Sequence, residues 1–132
     1  MAHSLLAVLG GFAAMALLVM VTTAIAAILL VPGGMMAMAQ PGATLPRAYL
    51  TVNVLCSALA ALVGGGITAR LAAADPLWHG VALAVLMVLM SVGSMRQARG
   101  RQPRWYQFTL MTAMPALAIL GGWLGTLWWR PA

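Results

Sequence analysis

Few residues in this chain can do chemistry, and their positions matter as much as their types. Asp75 is the sole acid. It precedes Pro76, and an aspartate followed by proline reads as the cap and first residue of a helix. His79 comes one helical turn later, which puts an Asp75–His79 hydrogen bond within reach. His79 is the one weak candidate for a cofactor ligand. Its plainer reading is a histidine at a membrane interface beside Trp78, since no second histidine falls within a hydrophobic segment. Cys56 is the only cysteine, so an intrachain disulfide and a CxxC pair are both excluded, and a small packing thiol is expected. Cys56 and Ser57 have no histidine or acid near them in the sequence, so nothing signals a nucleophile with its base. Gly64-Gly65-Gly66 is not followed by Lys-Ser or Lys-Thr, so it is no phosphate loop. Met87/Met90 and Met111/Met114 have one-turn spacing. Thioethers of that kind can bind Cu(I), but methionine is also an adaptable packing residue. No catalytic residue and no metal ligand set is assigned, and the expectation is a protein that is not an enzyme.

The elements that must carry these residues follow from composition. The chain has 132 residues, 64% hydrophobic and 6% charged, with a mean hydropathy of +1.00. Soluble domains are about a quarter charged, so a single transmembrane domain over residues 1–132 is expected. Four apolar segments, at about 4–31, 46–73, 76–95 and 105–129, each reach the ~20 residues a membrane helix needs. The first has only His3 as an N-terminal flank, and its apolar core exceeds that of a signal peptide, so it is read as a retained helix. The loop 32–46 is uncharged. Pro115 falls inside the fourth segment, where it frees the carbonyl of Met111, with Thr112 as a local partner. The predicted fold is all-α: an integral membrane four-helix bundle, up-down-up-down. Segments two and three, joined by a tight turn, are expected to be neighbours.

This topology puts both termini and the 74–76 turn on one side, with Trp78, Trp128 and Trp129 as anchors. Tyr49, Trp105 and Tyr106 anchor the other side, as interfacial aromatics do. The chain has seven basic residues, all arginine. Arg47, Arg96, Arg99, Arg101 and Arg104 fall on the second side; Arg70 and Arg130 fall on the first. The positive-inside rule then makes the loops 32–46 and 96–104 cytoplasmic and the termini periplasmic. Arg70, Arg96, Arg99, Arg101 and Arg104 are the candidates for contact with lipid headgroups or a partner. Basic residues that serve topology leave no clustered face for nucleic acid. Arginine without lysine, beside abundant alanine and glycine, suggests a bacterial inner membrane.

Small residues organise the interior. Ser57, Ala61, Gly65 and Ala69 recur every four residues, and so do Cys56, Ala60, Gly64 and Thr68, which places each set on one helix face. Such ridges let helix backbones approach closely in a bilayer. Gly10, Gly11, Gly64, Gly65, Gly66, Gly121 and Gly122 fall about 6–10 Å below the first side at ~1.5 Å per residue. Gly80 lies near that level, and Gly125 completes the packing set. This layer is read as close helix packing, with a slot for a flat ligand such as a lipid tail, quinone or pigment as the alternative. No cofactor is predicted outright. Among intramembrane polar residues, Asn53, Thr109 and Thr112 stand out. No Asp or Glu lies within a segment, which argues against proton-coupled exchange. The expected role is a non-catalytic accessory or structural subunit of a larger membrane complex, respiratory, photosynthetic or transport. Lipids and other subunits, or further copies of the chain, are the expected partners. The alternative is a small homo-oligomeric channel or carrier, in which Asn53, Thr109, Thr112 and the glycine layer line a path.

Overall fold

A computed structural model describes residues 2–72, 75–97 and 102–128. The order of elements is α1 (Ala2–Leu30), α2 (Gly34–Ala39), α3 (Arg47–Leu71), α4 (Pro76–Gln97) and α5 (Arg104–Trp128). The chain is all-helical, and α1, α3, α4 and α5 are long and apolar enough to cross a membrane. Their limits follow from helix-breaking residues. Past α1, Gly33 and Gly34 adopt φ of 82° and 60°, a left-handed backbone open to glycine at little cost. Pro46 sits just outside α3, and its carbonyl accepts the Leu50 amide at 3.1 Å. Pro76 opens α4, and the Asp75 carbonyl accepts the amides of Trp78 and His79 at 3.0 and 3.4 Å.

Two local expectations change. The 32–46 loop contains the short helix α2, built from GMMAMA; methionine and alanine are good helix formers once the two glycines have turned the chain. The Thr112 hydroxyl donates to the Phe108 carbonyl at 2.8 Å, not to that of Met111, because a threonine side chain folds back along its own helix to the i−4 carbonyl. α5 continues through the buried Pro115.

Packing differs from chain order. α3 lies mainly against α1 and α5, and α4 mainly against α5, with smaller α3–α4 and α1–α4 contacts. The turn between segments two and three therefore does not make them principal neighbours: the glycines of α3 and α5 allow a closer approach than the α3–α4 contact offers. Two apolar clusters form the core. One holds Met15, Ala61, Leu83, Met87, Met114 and Ala118. The other holds Ala26, Val31, Tyr49, Leu50 and Tyr106. Large apolar side chains such as Leu5, Leu17, Ile28, Leu59, Val85 and Phe108 face outward. That is the reverse of a water-soluble helical protein, which keeps such residues inside.

Candidate functional site

The two small-residue ridges of α3 each meet a different neighbour. Gly64 and Thr68 face α1: a Cβ added at Gly11 would lie 2.6 Å from the Gly64 carbonyl oxygen, and one at Gly64 would lie 2.9 Å from Met15 Cβ. Gly65 and Ala69 face α5: a Cβ at Gly65 would collide with the Ala118 carbonyl, and one at Gly125 would lie 3.0 Å from Ala69 Cβ. A Cβ at Gly121 would strike the Leu62 backbone. Ser57, Ala61, Gly64, Gly65 and Ala69 are buried on α3. The Thr68 hydroxyl, fully buried, donates to the Gly64 carbonyl at 2.9 Å, so its polarity is satisfied within its own helix. Gly10 faces Leu71, while Gly66, Gly80 and Gly122 have looser surroundings: a Cβ at Gly80 would meet only Ile119 Cα, at 3.8 Å, and nearby backbone. Backbone contact is close where Gly11 meets Gly64 and where Gly65 meets Ala118, while beside Gly66 and Gly121 an apolar cleft of about 300 Å³ remains.

Toward the opposite end of these helices the polar groups gather. Asn53, 6% exposed, joins three helices. Its Nδ2 donates to Thr23 Oγ1 on α1 at 2.7 Å, and its Oδ1 accepts the Tyr106 hydroxyl on α5, also at 2.7 Å. The Ser57 hydroxyl donates to the same Oδ1 at 3.5 Å. Buried polar groups need such partners, since an unpaired one costs about 1–3 kcal/mol. Beside this junction is a cavity of about 450 Å³ between α1, α3, α4 and α5. Its outer part is bordered by Tyr49, Asn53, Ser91, Ser94, Gln102 and Tyr106, and its inner part by Phe12, Met15, Met87 and Met114.

The expected site residues divide accordingly. Asn53 borders the cavity; Thr109 and Thr112 do not. Their hydroxyls donate to the carbonyls of Trp105 and Phe108, both at 2.8 Å, so the path imagined through all three is not assembled within one chain. His79 stands apart, in a cleft with Ser4, Leu5, Val8, Trp78 and Ala82. Its Nδ1 donates to the Asp75 backbone carbonyl at 3.0 Å, so the contact does not use the carboxylate. Among the described residues, no three of His, Cys, Asp and Glu come together. Arg70, Arg96 and Arg104 are exposed; Arg99 and Arg101 lie outside the described residues, as do Trp129 and Arg130.

Tyr49 and Tyr106 correct the reading of aromatic anchors. They are 3% and 4% exposed and point inward, whereas Trp105 and Trp128 face out. Trp105 and Tyr106 meet edge to face at 5.9 Å; consecutive helix residues are about 100° apart, and here the turn takes Trp105 outward and Tyr106 inward. One sequence signal does mark the site: Tyr49, Asn53 and Ser57 recur every four residues and form a polar stripe on one face of α3. Thr23 had no such signal. Compared with protein families, curated proteins and solved structures, the chain finds no match in any of the three.

Proposed function

We propose that this chain is a non-catalytic accessory or structural subunit of a larger membrane complex, inserted as an up-down-up-down bundle of α1, α3, α4 and α5. The observation that carries the reading is the Asn53 junction. Interior polar groups from three helices bond to one another, while the outward faces are apolar. Such an interior holds helices together, and such an exterior suits lipid or neighbouring subunits. The alternating direction is supported by the residues that meet: Thr23 with Asn53 and Gly11 with Gly64 between α1 and α3, Asn53 with Tyr106 and Ala69 with Gly125 between α3 and α5. Arginine without lysine, beside abundant alanine and glycine, supports a bacterial inner membrane, and the arginine distribution supports loops 32–46 and 96–104 in the cytoplasm. Purification from native membranes in mild detergent tests the role. Stable co-migration with unrelated subunits is expected.

A second reading, a small homo-oligomeric carrier, is favoured by the cavity of about 450 Å³. A homogeneous homo-oligomer that moves a solute across liposome membranes would establish it and sink the accessory role.

A further inference from the structure

We infer that the cavity between α1, α3, α4 and α5 binds one neutral amphiphile with a carbonyl-bearing head, the carbonyl accepting a hydrogen bond from the Tyr49 hydroxyl. This goes beyond the proposed role and does not depend on it, since a subunit or a carrier could hold such a molecule. Three observations lead to it. First, at about 450 Å³ the cavity falls inside the roughly 300–1,000 Å³ of small-molecule sites. Second, among the described residues its lining holds no acid and no base, so they offer a charged ligand no counter-charge, and burying an unpaired charge is strongly unfavourable. Third, Tyr49 borders the cavity at 3% exposure, and its hydroxyl has no hydrogen-bond partner among the described residues. No polar side-chain atom among the described residues is both sealed from space and unpaired, so this hydroxyl is not sealed, and Tyr49 itself borders the cavity. A buried phenol usually finds a partner, and here a ligand can supply it.

The lining also sets the ligand's direction. Hydroxyl and amide groups of Tyr49, Ser91, Ser94 and Gln102 occupy the outer part, and Phe12 with the thioethers of Met15, Met87 and Met114 occupies the inner part. The head therefore lies outward and a hydrocarbon body extends toward the glycine layer, where backbone contact closes the bundle. Met90 borders the cavity yet is 57% exposed, so the cavity reaches the surface beside α4, where a lipid-soluble molecule can enter sideways.

A lipid-soluble quinone and an ester-linked neutral lipid share this chemistry, and two probes separate them: a decyl-substituted benzoquinone and dioleoylglycerol. The full-length protein in detergent is titrated with each and read by native mass spectrometry. Saturation at one probe per chain is expected with at least one of them, and the one that binds identifies the source. Tyr49→Phe removes no internal bond and should leave the helix content and melting unchanged while weakening binding about five- to tenfold, the effect of losing one hydrogen bond. Ser91→Phe should block the cavity, and Thr112→Ala, outside it, should bind normally. The inference is overturned if neither probe saturates, or if Tyr49→Phe binds as tightly as the unaltered chain.

Discussion

The two ends of this bundle are built on opposite principles. At one end, glycine brings backbones together until no side chain fits: Gly11 against Gly64, Gly65 against Ala118, Gly121 against Leu62. At the other end, side chains as large as Tyr49 and Tyr106 hold the same helices apart and leave a cavity between them. The closed end is held by dispersion, which a lipid-facing bundle must rely on because lipid offers no hydrophobic drive between helices. The open end is held by directional bonds through one side chain, Asn53. A helix pair that touches at one end and is spaced at the other encloses volume with no break in its helices. Substitutions should therefore act in opposite ways at the two ends: an added methyl group harms the first, and a removed polar atom harms the second.

The largest effect is expected at the closed end. Gly65→Ala places a Cβ on the Ala118 carbonyl, and the contacting atoms are backbone that cannot rotate away. The loss should reach the upper part of the ~1–3 kcal/mol range for overpacking, or exceed it, and Gly65→Leu should abolish assembly of the bundle. Unfolding in mixed detergent and SDS, followed by circular dichroism, measures this. Unchanged stability of Gly65→Ala would mean that α3 and α5 do not meet here.

Next comes the open end. Asn53→Leu strands the hydroxyls of Thr23 and Tyr106, both 2.7 Å from the amide in the native chain. Hydrogen bonds between membrane helices average only ~0.6 kcal/mol, so two of them amount to about 1–2 kcal/mol. A double-mutant cycle of Asn53→Ala with Tyr106→Phe should show a positive coupling; strict additivity would dissolve the junction. The two tyrosines then sharpen the contrast within this end. Tyr106→Phe should cost about 0.6 kcal/mol, one such bond, whereas Tyr49→Phe should have no measurable effect on ligand-free stability because its hydroxyl bonds nothing among the described residues.

How far the sequence revealed this depends on whether a feature is local. The four long helices were legible because hydropathy and the breakers Pro32-Gly33-Gly34, Pro46 and Asp75-Pro76 act along the chain; the helices begin and end near the predicted limits. The helix α2 was hidden by the same breakers, which made its surroundings look like plain loop. The two ridges of α3 were visible as periodicity, but which neighbour each would meet was not, since that depends on three other helices. The Asn53–Tyr106 bond joins residues 53 positions apart, and no local pattern names such a partner. Tyr49 and Tyr106 were misplaced because a tyrosine near a helix end satisfies the rule for interfacial aromatics whether its ring turns out or in. Their direction is set by the space that Asn53 and the cavity leave for them.

The strictest check on the comparison, and the one expected to raise stability, belongs to Gly80. It lies at the level of the glycine layer and would count as part of it by depth alone. Its surroundings differ: an added Cβ would lie 3.8 Å from Ile119 Cα and 3.9 Å from Gly122 Cα, ordinary contact distances. Gly80→Ala should therefore cost nothing, and should stabilise α4 by up to about 0.5 kcal/mol, the low end of alanine's advantage over glycine inside a helix. The measurement is the same unfolding titration used for Gly65→Ala. If both substitutions were equally damaging, the layer would be a general constriction of all four long helices at one depth. Damage at Gly65 with none at Gly80 would instead make α3 the axis of the closed end, with α4 seated against α5 at ordinary distance. Only the second arrangement leaves α4 free to stand away from α3 further along, where Ser91 and Met90 border the cavity.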